Sequence, residues 1–313
     1  MADLAVLSWP GAVRARVGEV LDDFLAGRTL PGTEEFRPLP ADVIAEVVRD
    51  GRRTRSLFCA AGALAGGGDP LAPQVVQVAA GLELFHAFTL IHFRGGPSIV
   101  PRVGAAGAIL FGDLCLVWSQ ELIESAGIGP AARPFLTAMR TEAIAGQYLA
   151  IDPSAPSAEE DRAWKVTRLR TASHTVQRPL QIGAALAGAP RSALAFCSAF
   201  GALMGEACHL REELGDLLGD RPLPGRRSIL MSLAWRHAGP AQRRTIAALH
   251  GNPALDDEGA AGLRAVIRET GADRMAAELI ADRTELALAA VRESGLSAEA
   301  RSALTELAHA ATS

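Results

Sequence analysis

A chain of 313 residues with 49% hydrophobic but only 5% aromatic side chains can bury a sizeable core, and alanine and leucine dominate it. Strand formers are sparse, which points to an all-α fold. The net charge of −4, without a large basic face, argues against a nucleic-acid partner. Helical segments are expected at 11–27, 40–49, 55–66, 71–93, 101–126, 130–150, 159–188, 190–219, 227–237, 240–250, 258–271, 273–293 and 297–312. The breaks between them carry turn chemistry: "TLPGTEEFRPLP", "GGGDPLAP", "RGGPSIVP", "IDPSAPSAEED" and "DRPLPGRR". "SAEE" at 157–160 reads as a capping box opening the helix of Trp164. Segments 71–93, 101–126 and 190–219 are apolar nearly all round, the pattern of central helices in one large bundle. No linker is long or polar enough to divide the chain, so residues 1–313 are read as a single domain.

The four cysteines, Cys59, Cys115, Cys197 and Cys208, lie in apolar stretches without a CxxC pair. They read as small buried side chains of a reducing compartment, so a cytoplasmic location is expected. No charged segment followed by a long apolar run opens the chain, and no signal peptide is expected. The most apolar run, 193–205, is short for a membrane span. Arginine supplies the basic charge with one exception, Lys165, so coding bias explains an arginine in place of a lysine as well as function does.

The stretch "EACHLREELGDLLGD" (206–220) keeps apolar residues at helical spacing and puts Glu212 and Asp216 one turn apart, with Glu213 three residues before Asp216. Such a trio is either a metal-holding face or an ordinary acidic face turned to water. Neither His92 nor His209 has the His or Cys partner one turn away that would suggest zinc.

Three ordered stretches carry a family resemblance: "DGRRTRSLF" (50–58), "GLELFHAFTLIHFRGGPSIV" (81–100) with "ILFGD" (109–113), and "RTASHTVQRPLQIGAALAGAP" (170–190) running into the acidic stretch. In this order and spacing the chain resembles the trans-isoprenyl diphosphate synthases, or polyprenyl synthetases, over roughly residues 12–310. The resemblance implies an all-α isoprenoid-synthase bundle around an apolar cavity. It also implies magnesium held by two aspartate-rich motifs, short prenyl diphosphate substrates, and a homodimer or a heterodimer with a related synthase.

The family's Gly-Lys-Arg-x-Arg-Pro diphosphate turn corresponds to Gly51, Arg52, Arg53, Thr54, Arg55 and Ser56. Its histidine corresponds to His86, its Gly-Gln pair to Gly146 and Gln147, and its Lys-Thr pair to Arg170 and Thr171. The Phe-Gln pair before the second acidic motif becomes Cys208 and His209, and the late Gly-Lys becomes Gly225 and Arg226. By resemblance, Arg52, Arg55, His86, Arg94, Gln147, Arg170, Thr171, His209 and Arg226 bind diphosphate. The bland readings are a solvated basic turn for the arginines at 52–55, a core histidine for His86 and a surface residue for Arg170.

The metal motifs depart most. Phe93 follows His92 directly, so the first aspartate-rich motif is absent. The second survives as Glu212, Glu213, Leu214, Gly215 and Asp216, which implies weak or partial Mg²⁺ binding. Phe85 and Phe88, one turn apart, stand where the family closes its tail channel, or else are plain core. Two function classes follow: a divergent prenyltransferase or terpene synthase, or a catalytically silent homologue that binds and regulates an active synthase.

Overall fold

Alanine- and leucine-rich runs broken by Gly and Pro fold into helices throughout, and no strand occurs among the described residues. The computed structural model describes residues 8–26, 28, 32, 40–49, 51–94, 99–151, 160–218, 228–252 and 255–312. In chain order the helices are α1 (Trp9–Leu25), α2 (Pro40–Arg49), α3 (Thr54–Ala65), α4 (Pro73–Arg94), α5 (Val100–Ser125), α6 (Arg133–Ile151) and α7 (Glu160–Thr167). A π-helical segment (Arg168–Gln177) leads into α8 (Arg178–Leu186), α9 (Arg191–Leu218), α10 (Ile229–His237), α11 (Pro240–Leu249), α12 (Asp257–Glu269), α13 (Ala272–Glu293) and α14 (Ala298–Thr312). Expected boundaries agree with these to within a helical turn. The exception is 159–188, which is α7, the π segment and α8 rather than one regular helix. Three of the four residues of the expected capping box, 157–159, lie outside the described residues.

The chain packs as two compact units. The first comprises residues 1–137, 178–198 and 295–307. Its helices close through glycines. A Cβ on Gly183 would stand 1.8 Å from the Cys59 carbonyl oxygen, and one on Gly62 would stand 2.1 Å from that of Leu180. Only glycine lets α3 and α8 approach this closely. At the α4–α5 crossing the Ser119 hydroxyl donates to the Gly81 carbonyl at 2.7 Å. Phe58, Leu82, Leu84, Phe85 and Ile123 are fully enclosed here, each burial favouring folding by about 1.5–3 kcal/mol.

α5 departs from the expected pattern. It kinks at Gly104 (φ 74°), and it exposes Ile109, Leu110 and Val117 at 56%, 66% and 60%. Its length and composition suffice to cross a membrane, as do those of α4 and α9, yet only 17% of its most apolar window is buried within the chain, against 78% for α4. Apolarity all round this helix is therefore not burial in the chain's own core.

The second unit comprises residues 138–177, 199–294 and 308–313. Its core joins Trp164, Leu210, Leu214, Leu217, Ile229, Leu230, Leu263, Ile267 and Ile280, drawn from α7, α9, α10, α12 and α13. α10 opens on Ser228, whose side-chain oxygen accepts the Met231 N–H at 3.2 Å, an ordinary N-cap. The Glu206 carboxylate is buried between two guanidinium groups, Arg168 Nε and Arg283 Nε, each 2.6 Å away. Arg283 lies 4.3 Å from the centre of the Trp164 ring, so an aromatic face covers the brace.

Candidate functional site

In the first unit the three arginines occupy the turn that starts α3. Arg53 is the N-cap and takes the left-handed conformation (φ 55°, ψ 32°), the one positive-φ residue other than glycine among those described. Its guanidinium is buried, and Nη1 has no hydrogen-bond partner among the described residues. Arg55 is also buried, whereas Arg52 is exposed. An unanswered buried guanidinium beside two further cations suits a multiply charged anion.

One backbone N–H at this helix start, that of Ser56, is already answered. Glu83, buried on α4, takes both the Ser56 N–H at 3.1 Å and the Ser56 hydroxyl at 2.7 Å on Oε1. The Ser56 N–H is therefore not open to an anion at this turn, where the arginine side chains supply the positive charge. Sequence reasoning missed Glu83. Its signal was available, since it is the only acidic residue on α4.

His86 lies one turn beyond Glu83 and is half-buried. The Thr89 hydroxyl donates to the His86 carbonyl at 2.8 Å, so its oxygen lone pairs face His86 Nδ1, 3.2 Å away. Phe85 is fully buried and Phe88 nearly so, with ring centres 5.4 Å apart. Phe88 also packs on His92 and Phe93, at 4.9 and 5.5 Å. His92 Nε2 lies 3.3 Å from Asp113 Oδ1, an ion-pair distance without hydrogen-bond alignment. Arg94 closes α4, and its side chain lies outside the description, as does the whole of Arg226.

In the second unit Gly146 lets α6 meet the π segment. A Cβ on Gly146 would stand 2.4 Å from the Arg170 backbone nitrogen. Gln147, Arg170 and Thr171 are half-buried, and Gln147 Oε1 has no hydrogen-bond partner among the described residues. The Ser173 hydroxyl donates to the Glu142 carboxylate, tying the π segment to α6 again. On the other side a Cβ on Gly205 would stand 2.7 Å from the Ala172 Cβ, and one on Gly201 2.6 Å from the Gln177 Cα. Wide π turns recur at functional sites, and this one carries Arg170 and Thr171.

The acidic trio does not point one way. Glu212 is exposed and Asp216 half-buried, but Glu213 turns into the unit. Its Oε2 accepts the Leu230 N–H at 3.0 Å, and Oε1 lies 3.2 Å from His209 Nε2. Burial opposes ionisation of Glu213, yet His209, the Leu230 N–H and the Ser228 hydroxyl outweigh it and hold the carboxyl below the usual carboxylate range. His209 is thus engaged with Glu213, one turn away. Among the described residues no three His, Cys, Asp or Glu side chains converge as metal ligands do. With Glu213 turned inward, the trio does not present the convergent oxygen ligands that an octahedral Mg²⁺ takes.

The polyprenyl synthetase pattern matches residues 38–258. The chain belongs to the polyprenyl synthetase family. A (2E,6E)-farnesyl diphosphate synthase of Mycobacterium tuberculosis is 28% identical over 287 residues, covering 83% of this chain and 78% of that protein. The fold matches geranylgeranyl pyrophosphate synthase from Corynebacterium glutamicum, solved with isoprenyl diphosphate and magnesium, at a TM-score of 0.83 and 29% identity over 97% of this chain and 98% of that one. It also matches polyprenyl synthase from Caulobacter crescentus CB15, solved with calcium and isoprenyl diphosphate, at a TM-score of 0.82 and 22% identity over 96% and 94% of the two chains. The all-α fold expected from composition is therefore the fold of the polyprenyl synthetase family.

Proposed function

We propose that the protein is a divergent prenyltransferase or terpene synthase acting on short prenyl diphosphates, with a metal site reduced from the family's. The observation that carries this reading is the arginine turn of α3. Its buried Arg53 guanidinium has an orphaned nitrogen, with Arg52 and Arg55 beside it. Arg170 and Thr171, on the π segment, are the matching candidates for an allylic diphosphate. In the reaction so proposed, the C1–O bond of the allylic substrate breaks and its electron pair leaves with the diphosphate. The double bond of isopentenyl diphosphate then forms the new C–C bond to the cation, and a proton is lost. A single magnesium at Glu212 and Asp216 would neutralise part of the leaving charge; arginines carry the remainder. Phe88 limits the prenyl tail to about two to four isoprene units, because a packed ring leaves no spare volume.

A second reading has its own support. The exposed apolar face of α5 and the inward turn of Glu213 suit a catalytically silent homologue that docks on an active synthase. In either case α5 is covered by a second chain, identical or related, rather than by lipid, and the protein works in the cytoplasm. The test is incubation of the purified protein with short allylic diphosphates, with and without isopentenyl diphosphate and Mg²⁺, followed by mass spectrometry. Chain-extended or cyclised products support the enzyme. No product from the chain alone, with altered product length when an active synthase is added, supports the silent homologue.

A further inference from the structure

We propose that Glu83 is the positioning residue of the arginine turn, capping α3 from a neighbouring helix and thereby holding Arg52, Arg53 and Arg55 in place; the proposal rests on the prenyl-diphosphate reading above. The first N–H groups of any α-helix lack intrahelical partners, and a Ser, Thr, Asp or Asn at the N-cap usually answers the third. In α3 the N-cap is Arg53, which makes no side-chain cap. Among the N–H groups this leaves open is that of Ser56, and it donates to Glu83 Oε1 at 3.1 Å. The Ser56 hydroxyl donates to the same oxygen at 2.7 Å. Ser56 is wholly buried and Glu83 is 3% exposed, so water cannot replace either bond. The second carboxylate oxygen borders the turn itself: a Cβ on Gly51 would stand 3.9 Å from Glu83 Oε2.

This contact explains how Arg53 keeps its conformation. A left-handed residue other than glycine, asparagine or aspartate is disfavoured and persists only where its surroundings fix it. Residues 51–53 precede α3 without regular structure; apart from a long bond from Arg14 Nε to the Arg52 carbonyl at 3.5 Å, the turn leans on the helix start that follows it. The serine–glutamate pair fixes this point by two hydrogen bonds. The consequence is a division of roles. Glu83 answers the Ser56 N–H and orients the turn, and the arginine side chains carry the charge that meets the anion.

The test uses the full chain with Ser56→Ala, Glu83→Ala and Glu83→Gln. Two quantities are measured: amide hydrogen exchange across residues 51–58 without ligand, and calorimetric affinity for isopentenyl diphosphate. Removing the contact, by Ser56→Ala or Glu83→Ala, is expected to speed exchange at the start of α3 and to weaken binding about tenfold. Glu83→Gln keeps an acceptor oxygen in place and is expected to retain most of both. Wild-type protection at residues 51–58 in Glu83→Ala or, should that variant not fold, in Ser56→Ala would overturn the proposal. So would equal losses in Glu83→Gln and Glu83→Ala, because charge rather than placement would then be the cause. If the wild-type protein does not bind isopentenyl diphosphate, the functional reading fails, and the exchange data alone decide whether Glu83 holds the turn.

Discussion

Gly146 lies against the backbone of Arg170 so closely that a Cβ would stand 2.4 Å from the Arg170 nitrogen and 2.7 Å from its Cα. The obstacle is backbone, which cannot swing aside as a flexible side chain can. Gly146→Ala is therefore expected to push α6 from the π segment, destabilising the protein by about 1–3 kcal/mol. It should also weaken binding of an allylic diphosphate, because Arg170 and Thr171 move with that segment. Thermal unfolding and calorimetry check both effects. An Ala variant as stable as wild type would mean the contact is not tight in solution.

Glu206 braces the π segment from the other side. Its two arginine partners sit 2.6 Å away on each oxygen, and Arg283 is itself largely buried. Removing the carboxylate strands a buried cation, a change that typically costs about 3–5 kcal/mol. Glu206→Gln is expected to lower the unfolding midpoint strongly, and Glu206→Gln with Arg283→Met to recover part of the loss. Equal instability in single and double variants would locate the defect elsewhere.

Acid should destabilise the second unit in two stages. Burial pushes the His250 pKa below its ordinary 6.5, partly offset by the Glu213 carboxylate. As pH falls, the unfolded chain thus takes up a proton at His250 before the folded chain does. Stability is complete above pH 6.5 and declines through the window beneath it. Glu213, also depressed, adds a second loss below its ordinary 4.5. Unfolding midpoints measured from pH 8 down to about pH 2 should fall in this order, and His250→Gln should flatten the first stage. An unchanged profile in that variant would exclude His250 as the source.

The exposed face of α5 predicts association. Ile109, Leu110 and Val117 are aliphatic and well exposed, more than a lone soluble chain commonly leaves on one helix. Leu110→Arg is expected to raise the dissociation constant of the resulting dimer by about thirtyfold or more. Light scattering across a concentration series measures it. A wild-type monomer at all concentrations would contradict the proposed interface.

Helices were legible in the sequence because 3.6-residue periodicity and Gly/Pro breaks are local signals. α2, at Pro40–Arg49, matches its expected span end to end. The π segment was not legible, since i→i+5 bonding is set by close approach at Gly146, Gly201 and Gly205 rather than by the residues within it. The direction of Glu213 depends on Leu230, 17 residues away, so helical spacing alone grouped it with Glu212 and Asp216. Composition likewise could not separate burial inside the chain, as in α4, from an apolar face left for another molecule, as on α5. Resemblance supplied the arginine turn but not its support, because Glu83 reads as an isolated charge until α3 is placed beside α4.

The most direct measurement is calorimetric titration of isopentenyl diphosphate into wild-type protein and into Arg55→Ala. A charge-assisted guanidinium–phosphate bond is worth about 1.5–3 kcal/mol, so the variant should bind roughly tenfold to a hundredfold more weakly while unfolding at a similar temperature. Equal affinity in the two proteins, or no binding by wild type, would contradict the claim that this turn holds a prenyl diphosphate.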